Sequence, residues 1–287
     1  MFSAGVFSAG AIRGEQALTS TPTRRAAAVT VCAAIMVLGT LAGFGLLGTR
    51  VEDSSGGAFA ADATPVTPAG PAFSIWSLIY LGLLGYVVWQ WRAGASRRAA
   101  RIAWPAAASM LLNALWLGVT QVGWLWASVL VILVLALVLG VLVRRLSAIP
   151  PESPLEAVVV DGTFGVYLGW VSVASVANVT AVLVASGVDP GAVWATVLAV
   201  VVLGVAALLG AWFAVRLGGR WAVAAAMAWA LAWVAIGRLT GRPDSLPVAV
   251  AAILAALAIL AVTAVVRTRR SAPAHRWTAA PAGSGRG

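Results

Sequence analysis

Residues 121–145 read QVGWLWASVLVILVLALVLGVLVRR. From Val122 to Val143 no side chain is charged, and Arg144 and Arg145 close the run. At about 1.5 Å rise per residue, some 20 such residues cross the roughly 30 Å hydrocarbon core of a bilayer as an α-helix. Comparable runs recur at 26–47, 73–91, 102–121, 162–184, 192–215, 221–238 and 246–266, which makes eight with 122–143. The connection near Gln121, Val122 and Gly123 is so tight that the helices on either side of it form an antiparallel hairpin.

Composition agrees with that reading. Hydrophobic residues make up 61% of the 287 and charged residues 10%, whereas soluble domains average about 45–50% and about 25%. The fold class is therefore all-α, a multi-pass transmembrane helical bundle. The run 26–47 is longer than the apolar region of a signal peptide, so it reads as a retained helix. The linker 48–72 is too rich in Pro, Gly and acidic residues to continue either neighbouring helix.

All nineteen basic residues are arginine, and the formal charge is +10. Eight alternating spans put sixteen arginines on one side and only Arg50, Arg238 and Arg242 on the other. Cytoplasmic loops concentrate basic residues, so both termini are expected in the cytoplasm. The arginines flank apolar spans rather than forming one soluble patch, which argues against a nucleic-acid partner. Membrane lipids are the expected surroundings, in a bacterial plasma membrane. Cys32 is the only cysteine and His275 the only histidine, so neither a disulfide framework nor a metal cluster is available.

Helical wheels gather polar and aromatic groups into stripes. Tyr167, Trp170, Ala174, Asn178 and Ala181 share a sector of about 80°, while Ser172 and Ser175 lie on another. Ser109, Asn113, Trp116 and Thr120 share a face of the third span, and Phe73, Trp76, Tyr80, Leu83 and Gln90 one of the second. Such stripes should face other helices or a cavity. From the wheels alone, interhelical packing is favoured over a ligand pocket for these stripes. Trp89, Trp91, Trp104 and Trp221 stand beside arginines and read as an interfacial belt, with Trp124 and Trp126 at the opposite interface.

No Asp or Glu lies in the middle of a span; Asp161 stands at the start of the fifth. That argues against an ion-coupled pump. A P-loop, a zinc-protease helix and a Ser–His–acid set are also lacking, which argues against an ordinary acid–base enzyme. No catalytic or metal-binding residue is assigned.

Four stretches in order resemble the tryptophan-rich sensory protein family, also called TspO, translocator protein or the peripheral-type benzodiazepine receptor. They are PAGPAFSIWSLIY…YVVWQ, LLNALW, QVGW and YLGWVSVASVAN. The resemblance covers 26–184, read as a five-helix transmembrane domain. It follows a polar cytoplasmic segment at 1–25 and precedes three additional helices at 185–266 and a basic tail at 267–287. The family implies a membrane sensor or receptor with a pocket for a hydrophobic small molecule, above all a porphyrin or other tetrapyrrole. The porphyrin would be a ligand to be bound, transported or turned over, with no resident cofactor. Carried over by position, the ligand-binding residues are Trp76, Tyr80, Asn113, Trp116, Tyr167, Trp170 and Asn178. The same resemblance associates Trp76 and Trp170 with light-dependent porphyrin breakdown. The chain departs from the family pattern at Val166, where proline is usual, and has no sterol-type motif after Asn178. The alternative is a small-solute or lipid transporter using all eight helices. The last three spans, poor in polar groups, suit support or homodimer packing better.

Overall fold

The computed structural model describes residues 21–43, 45 and 48–271. The expectations for the N-terminal segment before Thr21 and for the tail around His275 lie outside the described residues. Eight long helices account for the apolar runs: α1 Pro22–Gly43, α2 Ile75–Arg92, α3 Arg97–Gln121, α4 Leu125–Ser147, α5 Thr163–Ala185, α6 Ala192–Leu217, α7 Trp221–Thr240 and α8 Leu246–Ser271. Each is long and apolar enough to cross a membrane, and no strand occurs among the described residues. The chain is an integral membrane protein.

Hydrogen bonds sort the helix ends into two groups. At the arginine-rich end, Arg25 donates to the Gly94 carbonyl at 2.5 Å and Arg145 to that of Arg101 at 2.8 Å. Arg220 reaches Ser147 Oγ at 3.0 Å. At the other end Thr49 and Gln121 exchange two bonds, and Arg238 binds the linker carbonyls of Ala61 and Thr64. This is the alternation that the arginine count requires.

Helices α1, α2, α5, α4 and α3 pack in that order into a closed ring. Helix α7 lies outside it against α5, where Gly165 and Gly169 remove the obstacle to close approach. A Cβ at Gly169 would collide with the Val223 carbonyl oxygen, and one at Gly165 with Ala222 Cβ. This small-xxx-small spacing is a common route to tight helix contact in lipid. Helix α8 packs on α7, and α6 packs chiefly on α8.

Three boundaries differ from expectation for physical reasons. Helix α3 begins at Arg97 rather than near 102, because Ser96 Oγ caps it by accepting from Ala99 N. Helix α4 begins at Leu125, since Val122 to Trp124 form the turn that Gly123 permits with φ 76°. Helix α5 is preceded without a break by one turn at Pro154–Glu156 and a π-helical turn at Ala157–Gly162.

That π turn carries Asp161 to a buried charge cluster. Arg98, 2% exposed, donates to Glu156 Oε1 and to Asp161 Oδ2, both at 2.6 Å. Arg220 donates to Asp161 Oδ1 at 2.6 Å. Two arginines thus meet two carboxylates, and the cluster joins α3, the start of α5 and the start of α7 with no net formal charge. Buried charge is tolerated where it is paired in this way.

Candidate functional site

The linker between α1 and α2 is an ordered roof over the ring rather than a loose loop. Phe59, Thr64, Val66 and Thr67 are buried, and the hydroxyls of Thr64 and Thr67 bond each other at 2.7 Å. Short 3-10 turns at Val51–Asp53, Ser55–Gly57 and Gly70–Ser74 satisfy part of its backbone. The last of these turns delivers the chain directly into α2.

Beneath the roof lies a cavity of about 370 Å³. Thr40 of α1, Arg50, Val51, Glu52, Gly70 and Phe73 of the linker, Trp76 and Tyr80 of α2, and Trp116 and Leu117 of α3 line it. Small-molecule sites are typically cavities of about 300–1,000 Å³ with mostly apolar and aromatic walls and a few polar groups. Trp76 and Tyr80 stack with centroids 5.3 Å apart and planes 20° from parallel. Trp76 also meets Tyr167 and Trp170 edge-on at 5.8 and 6.3 Å, and Phe73 meets Trp170 at 5.5 Å. These offset and T-shaped geometries suit aromatic quadrupoles, so the wall is a cross-braced block of rings.

The structure brings the seven sequence-derived residues into one continuous group, in two layers. Trp76, Tyr80 and Trp116 line the cavity. The other four stand behind them. Asn113 Nδ2 donates to Tyr80 Oη at 3.2 Å, and Tyr167 Oη donates to the Ser109 carbonyl at 3.2 Å. Asn178 Oδ1 accepts from Trp116 Nε1 at 3.1 Å, while its amide donates to Ser128 Oγ at 3.0 Å. Trp170 is 1% exposed and braces Trp76 and Phe73. Ser172 and Ser175 bond back to Leu168 and Val171 of their own helix, so their sector is helix packing.

Two buried atoms in the second layer, Asn113 Oδ1 and Trp170 Nε1, have no hydrogen-bond partner among the described residues. Buried polar atoms are rarely left so. At the rim, Arg50 and Glu52 form an ion pair at 3.4 Å with side chains 68% and 40% exposed. Such a pair contributes little to stability and is free to exchange partners.

The wheels did not find Thr40, Arg50, Val51, Glu52, Gly70 or Leu117. Those from the linker lie in or beside 3-10 turns of three to five residues, too short for a periodicity to show. Trp91, Trp104, Trp221, Trp124 and Trp126 are all at least 46% exposed, as an interfacial belt requires. Trp89 instead is partly buried and stacks on Tyr86 at 5.8 Å.

Comparison with curated proteins and with solved structures gives no match. A family model described as TSPO-like protein matches residues 26–266. The match includes nearly all of α1 and most of α8, and so continues past 184, where the motif resemblance ends. The chain belongs to the TSPO-like protein family.

Proposed function

We propose that the protein is a membrane receptor that takes a planar, mainly apolar ligand, a tetrapyrrole such as protoporphyrin, into the cavity beneath the linker. The supporting observation is the wall itself. Phe73, Trp76, Tyr80 and Trp116 offer flat apolar faces around about 370 Å³, and rings behind them keep those faces from turning. Thr40, Arg50 and Glu52 supply the few polar groups that orient a ligand. On this reading the arginine-rich end faces the cytoplasm, and transport or turnover would begin from the bound complex.

A solute path through the last three helices finds little support. Thr196, Thr240 and Thr263 turn their hydroxyls back to their own helices, onto Ala192, Ile236 and Ile259.

The test is tryptophan quenching by protoporphyrin with the purified protein in nanodiscs. We expect saturable quenching that Trp76→Leu weakens about tenfold, through loss of stacking and buried area. Trp104→Leu, at an exposed interfacial position, should leave the affinity unchanged. Equal affinity of wild type and a folded Trp76→Leu variant would remove the site.

A further inference from the structure

We propose that α7, a helix outside the five-helix ring, holds the roof of the cavity closed and sets the rate at which a ligand enters and leaves. The ligand half rests on the function proposed above; the roof half stands without it.

The first part of the linker is tied to the ring. Thr49 exchanges two bonds with Gln121, Ser55 Oγ donates to the Thr120 carbonyl, and Phe59 packs on Trp116. From Ala61 to Ala72 the hydrogen bonds to the helices run to α7, while Phe73 packs on Trp170 of α5. Arg238 donates to the carbonyls of Ala61 at 3.0 Å and Thr64 at 3.2 Å. Ala69 N donates to the Trp233 carbonyl at 3.2 Å, and Trp229 Nε1 to that of Ala72 at 3.0 Å. These four bonds flank Gly70 and end one residue before Phe73, the two residues that the stretch contributes to the cavity.

Arg238 is unusual in its setting. It is 2% exposed and makes no ion pair among the described residues; its third acceptor is the Pro243 carbonyl. Charge-assisted bonds to carbonyls are stronger than neutral ones, and of the two linker carbonyls only that of Thr64 has a further backbone donor among the described residues, Thr67 N at 3.2 Å. A buried guanidinium on three backbone oxygens therefore fixes a path that the linker sequence alone leaves undefined. Lifting the Gly70–Phe73 stretch off the cavity breaks bonds to α7 and the Phe73–Trp170 contact, while the helix-to-helix packing of the ring stays intact. Arg238 and Trp229 are accordingly positioning residues, acting through the roof rather than touching a ligand.

A covalent lock is also within reach. A Cβ at Gly237 would lie 3.5 Å from Ala69 Cβ, at the short end of the range disulfides span.

Two measurements on the full chain in nanodiscs test the proposal. The first is amide hydrogen exchange across residues 61–72 without any ligand. Trp229→Phe keeps the ring and deletes one donor, and should speed roof exchange roughly fivefold. Arg238→Gln should speed it further, while α4 stays unchanged in both. Unaltered roof exchange in the folded variants overturns the proposal. The second uses Ala69→Cys with Gly237→Cys in a Cys32→Ser background, followed by protoporphyrin quenching in stopped flow. Oxidation should slow association and dissociation by the same factor, tenfold or more, with Kd unchanged and full recovery on reduction. Equal rates in the two redox states overturn the gating role. If wild-type protein gives no quenching at all, the ligand reading fails, and roof exchange alone decides whether α7 holds the roof.

Discussion

Replacing Arg98 by methionine should be among the most damaging single changes in the protein. Arg98 is 2% exposed and holds two carboxylates at 2.6 Å, one of them, Glu156, itself only 8% exposed at the side chain. Methionine fills the space of the stem but leaves Glu156 with one backbone donor, Glu152 N at 3.2 Å. Breaking a buried pair from one side costs about 3–5 kcal/mol. Asp161 keeps Arg220 at 2.6 Å, so the lower end applies, and about 3 kcal/mol is roughly a 150-fold change in the unfolding equilibrium. The assay is reversible unfolding in mixed micelles by titrated dodecyl sulfate, followed by far-UV circular dichroism. Glu156→Leu on top of Arg98→Met should recover most of the loss, because a neutral apolar pair no longer strands a charge. The exposed pair at the cavity rim is the internal control: Arg50→Gln should shift the equilibrium by less than about 1 kcal/mol. A cost for Arg98→Met as small as that control, or a double variant whose loss is the sum of the two singles, would refute the reasoning.

Gly169→Ala should weaken the α5–α7 contact by about 1–3 kcal/mol through overpacking against Val223 and Ala226. Gly204→Ala on α6, where an added Cβ meets open space, should be neutral or gain about 0.5–1 kcal/mol from helix preference; the same titration separates them. Ser172→Ala, which removes only a bond to its own helix, should stay within about 0.5 kcal/mol. Asn178→Ala leaves Trp116 Nε1 and Ser128 facing an empty site and should cost about 1–3 kcal/mol; equal losses for the two would mean that the Asn178 network is not a structural unit.

The eight spans were legible because a bilayer demands an uninterrupted apolar run of each, and because basic residues gather at one end of most of them, the fifth excepted. The aromatic group around Trp76 was legible because helical periodicity placed Tyr167 and Trp170 on one face. What escaped were features made by residues distant in sequence. Arg98 reads as a solvated loop charge until Glu156 and Asp161 arrive from more than fifty positions away. Arg238 reads as the end of a span, because carbonyl acceptors at 61 and 64 leave no mark in composition. The two layers of the site were hidden too, since a wheel reports direction and not depth. The four-residue spacing of Gly165 and Gly169 was a local signal as well, but it was overlooked until the contact with α7 gave it a meaning.

The position of α6 has a consequence for the order of assembly. It precedes α7 and α8 in the chain, yet its main neighbour is α8, and it has little contact with α5. During synthesis α6 therefore enters the bilayer before the surface it will rest on exists, and must remain there as a lone helix among lipids. Its mean hydropathy of 2.6 suits that interval, whereas α7 follows with 1.7 and a buried arginine. Helix α7 can settle at once against α5 and beneath the linker, both already made. The less self-sufficient helix is thus the one whose berth is ready when it is released.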